Sequence, residues 1–103
     1  MITIHNLHKE KPSEAYDFKV DRTTTLGNPY VMTNESQRNI VCDLYKKNFE
    51  KVTSVKSLEP LILAYKQYGK LRLFCWCSPK RCHAETIRDY ILMMAEKEGE
   101  IHE

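Results

Sequence analysis

Long hydrophobic runs are missing from this chain. Its most apolar stretches, Leu61 to Tyr65 and Tyr90 to Ala95, fall far short of the ~20 residues that a membrane-spanning helix needs. The N-terminal stretch "MITIHNLHKEK" lacks a basic segment followed by an apolar one. No secretory signal is read there, and a cytoplasmic location is expected. In that compartment the four cysteines stay mostly reduced, which disfavours a disulfide framework. A strong excess of one charge is also missing. A net charge of +2 argues against a surface built for extended nucleic acid, although a local basic patch is compatible with it. No internal repeat, low-complexity tract or linker interrupts the sequence.

What is present suits one globular domain. The chain has 103 residues, 42% hydrophobic and 29% charged, enough for one modest core. A single domain is expected over residues 1–97, with 98–103 as a frayed tail. "ITIHN" reads as a first strand. "YDFKVDR" reads as a second, with Tyr16, Phe18 and Val20 on one face and Asp17, Lys19 and Asp21 on the other. Gly27-Asn28-Pro29 is a turn signal. A helix is expected from Asn34 to about Val52, with Asn34 and Gln37 at capping-box spacing. A second should begin near Ser57, hold Pro60 in its first turn and end at Gly69. "KLRLFCWC" is a strand apolar on both faces, as a central strand would be. The last helix should start with Ser78 as N-cap and Pro79 as first helical residue, and run to about Lys97. The order β-β-α-α-β-α describes a small α/β domain, a short sheet flanked by about three helices.

The chemistry concentrates in "CWCSPKRCH". Cys75, Cys77, Cys82 and His83 supply four zinc-ligand types, but C-x-C-x4-C-H is a single run rather than two separated pairs. Adjacent helical residues also diverge by about 100°. No metal or other cofactor is therefore expected; if zinc binds, Cys77, Cys82 and His83 are its ligands. Cys42 and Cys75 read as small buried hydrophobes. Cys77 and Cys82 fall where a helix N-terminus lowers a thiol pKa. Either is a candidate nucleophile, with His83 as acid/base. Lys80 and Arg81 at a helix start are unfavourable unless an anion arrives, so Ser78, Lys80 and Arg81 form a candidate phosphate site; the plainer alternative is that both cations point into water.

Arg22 continues the apolar face of the second strand, where a guanidinium either snorkels, pairs or binds a ligand. The following "TTTLGNP" offers hydroxyls, amides and Asn28, and loops after strand ends are where α/β sites gather. If the two strands run parallel, Arg22, Thr24, Asn28, Ser78, Lys80 and Arg81 are candidate ligand-binding residues of one cleft, beside Cys82 and His83.

Together "DRTTTLGNPYVM" and "LRLFCWCSPKRCHAETI" resemble the family called domain of unknown function 4326, small proteins frequent in phages and scattered in bacteria. The family pattern, R-x-T-x-L-G-N-P-[FY] and then C-W-C-x-P-x-x-C-H, is matched by Arg22, Thr24, Leu26, Gly27, Asn28, Pro29 and Tyr30, then Cys75, Trp76, Cys77, Pro79, Cys82 and His83. The resemblance spans about Ile2 to Ala95. It implies that both motifs belong to one module of phage type, in the host cytoplasm if phage-encoded, and it implies no activity. The expected function is binding of a nucleotide-like or phosphorylated small molecule. The alternatives are a phage inhibitor that binds a host protein, with a structural Cys/His motif, and a cysteine-histidine enzyme acting on a nucleotide-like substrate.

Overall fold

The computed structural model describes residues 1–21, 23–30, 32–52, 55–76 and 80–102. Arg22, Cys77, Ser78 and Pro79, singled out above, lie outside the described residues. The strands are β1 (Ile2–Asn6), β2 (Asp17–Lys19) and β3 (Leu71–Cys75). A 3₁₀ turn (Glu35–Gln37) leads into α1 (Arg38–Lys47), followed by α2 (Phe49–Val52), α3 (Val55–Tyr68) and α4 (Ala84–His102). The α/β class is as expected, and the order matches β-β-α-α-β-α with α1 and α2 in place of the first expected helix.

The sheet order is β1-β3-β2, and both pairings are parallel. The last strand in sequence is thus the middle one in space. Leu71, Leu73 and Cys75 face the main core, where they pack with Val20, with Leu58 and Leu61 of α3 and with Ile87 and Ile91 of α4. Phe74, on the other face, is also buried. It stacks on His5 at 5.2 Å between ring centroids, and the Arg72 guanidinium lies 5.2 Å from its ring. A central strand must be apolar on both faces for this reason.

Arg72 also fastens β2. It stands opposite Asp17 in the ladder and donates to that carboxylate twice, Nε to Oδ1 at 2.6 Å and Nη2 to Oδ2 at 2.8 Å. The Asp17 side chain is fully buried and that of Arg72 mostly so. The amides of Ser13 and Glu14 donate to the same Oδ2, at 2.8 and 2.9 Å, so the β1–β2 link ends on this carboxylate. The hydrogen bond from Arg72, opposed by burial and reinforced by the two amides, holds Asp17 far below the usual carboxylate range.

Several boundaries move for local reasons. The helix expected over 34–52 is interrupted at Asn48, whose amide and side-chain Nδ2 both donate to the Leu44 carbonyl, a competition that ends the regular ladder. The capping pattern slips by one residue: Gln37 Oε1 accepts from the Thr33 amide and hydroxyl, and Asn34 Oδ1 accepts from the Ser36 amide. Pro60 lies inside α3 rather than in its first turn, because the helix already begins at Val55. α3 ends where expected, at Gly69, with φ +69° and its amide on the Tyr65 carbonyl at 2.9 Å.

The largest correction concerns α4, which begins at Ala84: residues 80–83, expected within it, are not helical. His83 is its N-cap: the amides of Thr86 and Ile87 donate to the His83 carbonyl at 3.0 and 3.3 Å. Glu85 sits in the first turn and accepts from the Cys82 amide at 3.3 Å. The helix start therefore has the acidic residue that its dipole favours. Lys80 and Arg81 precede it and are drawn aside to the 3₁₀ turn and α1.

Replacing Asp17 with Asn should lower the thermal midpoint by several degrees at neutral pH. A carboxylate whose folded pKa is depressed contributes fully above its unfolded pKa near 4 and loses that contribution as pH falls toward the folded value. The deficit of the variant should therefore shrink as pH drops from about 5 toward about 2. An equal deficit at both ends would show that the ion pair is not its source. Gly69→Ala meets no atom within 4 Å, so only the backbone conformation opposes it. Urea unfolding should show a loss of about 1–2 kcal/mol.

Candidate functional site

Because β2 and β3 run parallel, both chains leave the sheet at the same edge. The loops that follow converge there, in the position where open α/β sheets place ligands. Two bonds tie the loops together. His83 Nε2 donates to the Val20 carbonyl, and Trp76 Nε1 donates to Asp21 Oδ2 at 2.8 Å.

Asp21 organises the first loop. Its Oδ1 accepts from the amide and hydroxyl of Thr23. Its carbonyl accepts from the Thr24 hydroxyl at 2.9 Å. Burial raises the pKa of the Asp21 carboxyl, but hydrogen bonds from Thr23 and Trp76 outweigh it and keep the group below the usual range. A buried carboxylate thus remains charged at neutral pH. Farther along, Asn28 Nδ2 donates to the Val41 carbonyl at 3.2 Å and its Oδ1 accepts from the Tyr30 amide at 2.9 Å. Asn28 fastens the loop to α1.

The second loop is held by an ionic lattice. Arg38 donates Nε and Nη2 to Glu35, at 2.8 and 2.6 Å, and Nη1 to the Arg81 carbonyl at 2.9 Å. Arg81 Nη2 reaches Asp43 at 2.6 Å and Lys80 reaches Glu35 at 3.3 Å. The Arg38 hydrogen bond, against desolvation and with help from Lys80, draws the Glu35 pKa down to about 2. The hydrogen bond to Asp43 raises that of Arg81. Glu35 and Asp43 are 58% and 67% exposed at the side chain. The single contacts of Lys80 with Glu35 and of Arg81 with Asp43 are surface pairs of the weak kind, whereas Arg38 holds Glu35 bidentately.

Between these loops and α1 lies a cavity of about 270 Å³. Asn28, Arg81, Cys82 and His83, named from the sequence, line it together, and Thr23 joins them. Thr24 does not line it; its hydroxyl serves Asp21 and the Leu26 amide. Lys80 does not line it either. The sequence reading missed Asp21, Tyr30, Met32, Arg38, Val41 and Trp76 as lining residues. Asp21 was recoverable, because an Asp followed two residues later by Thr is a known turn-former. Arg38 was not, since its bond to the Arg81 carbonyl spans 43 positions. Cys42 and Cys75, read as buried, are buried and also line the cavity.

Cys82 is 3% exposed, and its Sγ lies 3.5 Å from His83 Nδ1. Among the described residues, no group of three or more His, Cys, Asp or Glu is placed to hold a metal ion. The alternative zinc set includes Cys77, outside those residues. Among the described residues, no helix is long and apolar enough to cross a membrane.

The protein described as "Uncharacterized 12.4 kDa protein in nrdA-td intergenic region" of Enterobacteria phage T4 is 33% identical over 72 residues, 70% of this chain. The match spans 64% of that relative's length. No solved structure matches the chain. The model of the family described as "Domain of unknown function (DUF4326)" matches residues 4–93, a span that includes both loops of the cavity and the α1 residues between them. The chain belongs to the DUF4326 family.

Proposed function

We propose that this domain binds a small nucleotide-like or phosphorylated molecule in the cavity between the two loops. The carrying observation is the cavity itself, placed where parallel strands end and lined by apolar, aromatic and cationic groups together. Arg38 and Arg81 would meet the anion by exchanging Glu35 and Asp43 for it. Both carboxylates are exposed to the solvent into which they would move, and the Arg81–Asp43 pair yields more readily than the bidentate Arg38–Glu35 pair. Trp76, 50% exposed and pinned through its indole N–H to Asp21, offers a ring of fixed orientation for a flat heterocycle. At about 270 Å³ the volume falls just below the usual range of ligand pockets, roughly 300 to 1,000 Å³. It suits a mononucleotide fragment or sugar phosphate better than a dinucleotide. The phage relative fits action in the cytoplasm of an infected host.

Trp76 is the only tryptophan of the chain, so its fluorescence reports on this site alone. Titration with adenosine monophosphate, ribose 5-phosphate and inorganic phosphate separates the contributions. The expected result is saturable quenching by the nucleotide, with a matching rise in thermal midpoint. Arg81→Gln should weaken binding by about tenfold. If none of the three probes shifts either signal at millimolar concentration, the proposal fails.

A further inference from the structure

The bond from His83 to the Val20 carbonyl decides where the imidazole carries its proton. A carbonyl oxygen has no hydrogen to give, so Nε2 is the donor. The neutral ring then has its unprotonated nitrogen at Nδ1, and Cys82 Sγ is 3.5 Å from that atom. The ring is held from a second side by Tyr45, whose ring meets it edge-on at a centroid distance of 5.0 Å. A thiol, a base and a group that orients the base are thus aligned, and both Cys82 and His83 line the cavity.

Charged groups of both signs surround the pair. Arg38 and Arg81 line the same cavity as Cys82. The Glu85 carboxylate accepts from the Cys82 amide and the buried Asp21 carboxylate lines the cavity, so the two anions face the thiol and imidazole together with the two guanidiniums. Cys42 and Cys75 share the cavity, which makes them internal controls.

We propose that Cys82 is a nucleophile with His83 as its general base, acting on a small molecule whose electrophilic carbon bears an oxygen or nitrogen leaving group. The proton moves from Cys82 Sγ to His83 Nδ1. The sulfur electron pair forms a bond to the carbon as the bond to the leaving group breaks. The leaving group departs with that bonding pair and takes the proton from Nδ1. One S–H and one C–X bond become one S–C and one H–X bond, with no external oxidant or reductant. The proposal shares the cavity with the binding function but is independent of the ligand's identity.

Iodoacetamide, which forms the same S–C bond with iodide as leaving group, tests it on the whole folded chain. Labelled peptides resolved by mass spectrometry give a rate for each cysteine between about pH 5.5 and pH 9. A free thiol, with a pKa near 8.5, loses about tenfold in rate per pH unit below that value. Cys82 should instead label at least about tenfold faster than free cysteine at pH 6, and faster than Cys42 or Cys75. In His83→Gln its profile should revert toward that of a free thiol. If the wild-type Cys82 labels no faster than Cys42 and Cys75, or only after unfolding, the proposal is overturned. This readout needs no variant. It also separates the two proposals. A reactive Cys82 with a silent Trp76 keeps the nucleophile and rejects nucleotide-like ligands. A responsive Trp76 with an inert Cys82 keeps the ligand and rejects the nucleophile.

Discussion

Everything at the cavity depends on where β2 lies, and β2 has very little with which to hold itself. Three residues of ladder carry few backbone hydrogen bonds. The bidentate pair of Asp17 with Arg72 supplements them at the strand's first residue, with geometry that matches carboxylate to guanidinium. Because the two residues are ladder partners, the pair fixes register as well as proximity. It also captures the Ser13 and Glu14 amides, so that the β1–β2 link, which has no helix, still delivers its strand to one position. A buried charged pair has a large desolvation cost, and its value here is that it specifies the register on which Val20 and Asp21 depend.

From that position the chain reaches the edge of the sheet with a carbonyl and a carboxylate that the second loop uses. Val20 receives His83, and Asp21 receives Trp76. The His83 bond is buried and the Trp76 bond partly so, whereas the outer ties through Glu35, Asp43, Lys80 and Arg81 are exposed. The two layers differ in how easily they change. Hydrogen bonds away from water resist exchange, and surface ion pairs yield to any competing anion or to salt. The site is thus firm at its base and adjustable at its rim.

The sequence was most legible where periodicity and chemistry agreed. The alternation of Tyr16, Phe18 and Val20 placed the correct face of β2 inward, and the doubly apolar "LRLFC" marked β3 as central. Gly69 ended its helix as a left-handed residue. The condition for a shared cleft, parallel strands, was stated but not decidable, since nothing local records that β3 inserts between β1 and β2. The start of α4 was misjudged because Ser78-Pro79 has the composition of a helix start, while the observed cap uses backbone and Glu85 contacts that composition does not show. Lys80 and Arg81 looked like an anion site for the same reason. Their partners, Glu35 and Asp43, lie about forty positions earlier, 45 and 38 residues away.

The strand order has a consequence for how the molecule is made. β1 and β2 never pair with each other; each pairs only with β3. The register joins Ile2 to Leu71 and Asp17 to Arg72, so a nascent chain that ends before residue 71 contains two strands and no sheet. The helices between them can form locally within microseconds, but they have no ladder to cover until the seventies emerge. Closing loops of this length is costly in entropy and slows folding of non-local topologies. The same late segment brings Trp76, Arg81, Cys82 and His83. The sheet is therefore completed by Cys75 and the cavity only eight residues later, at His83, so both arrive late and almost together.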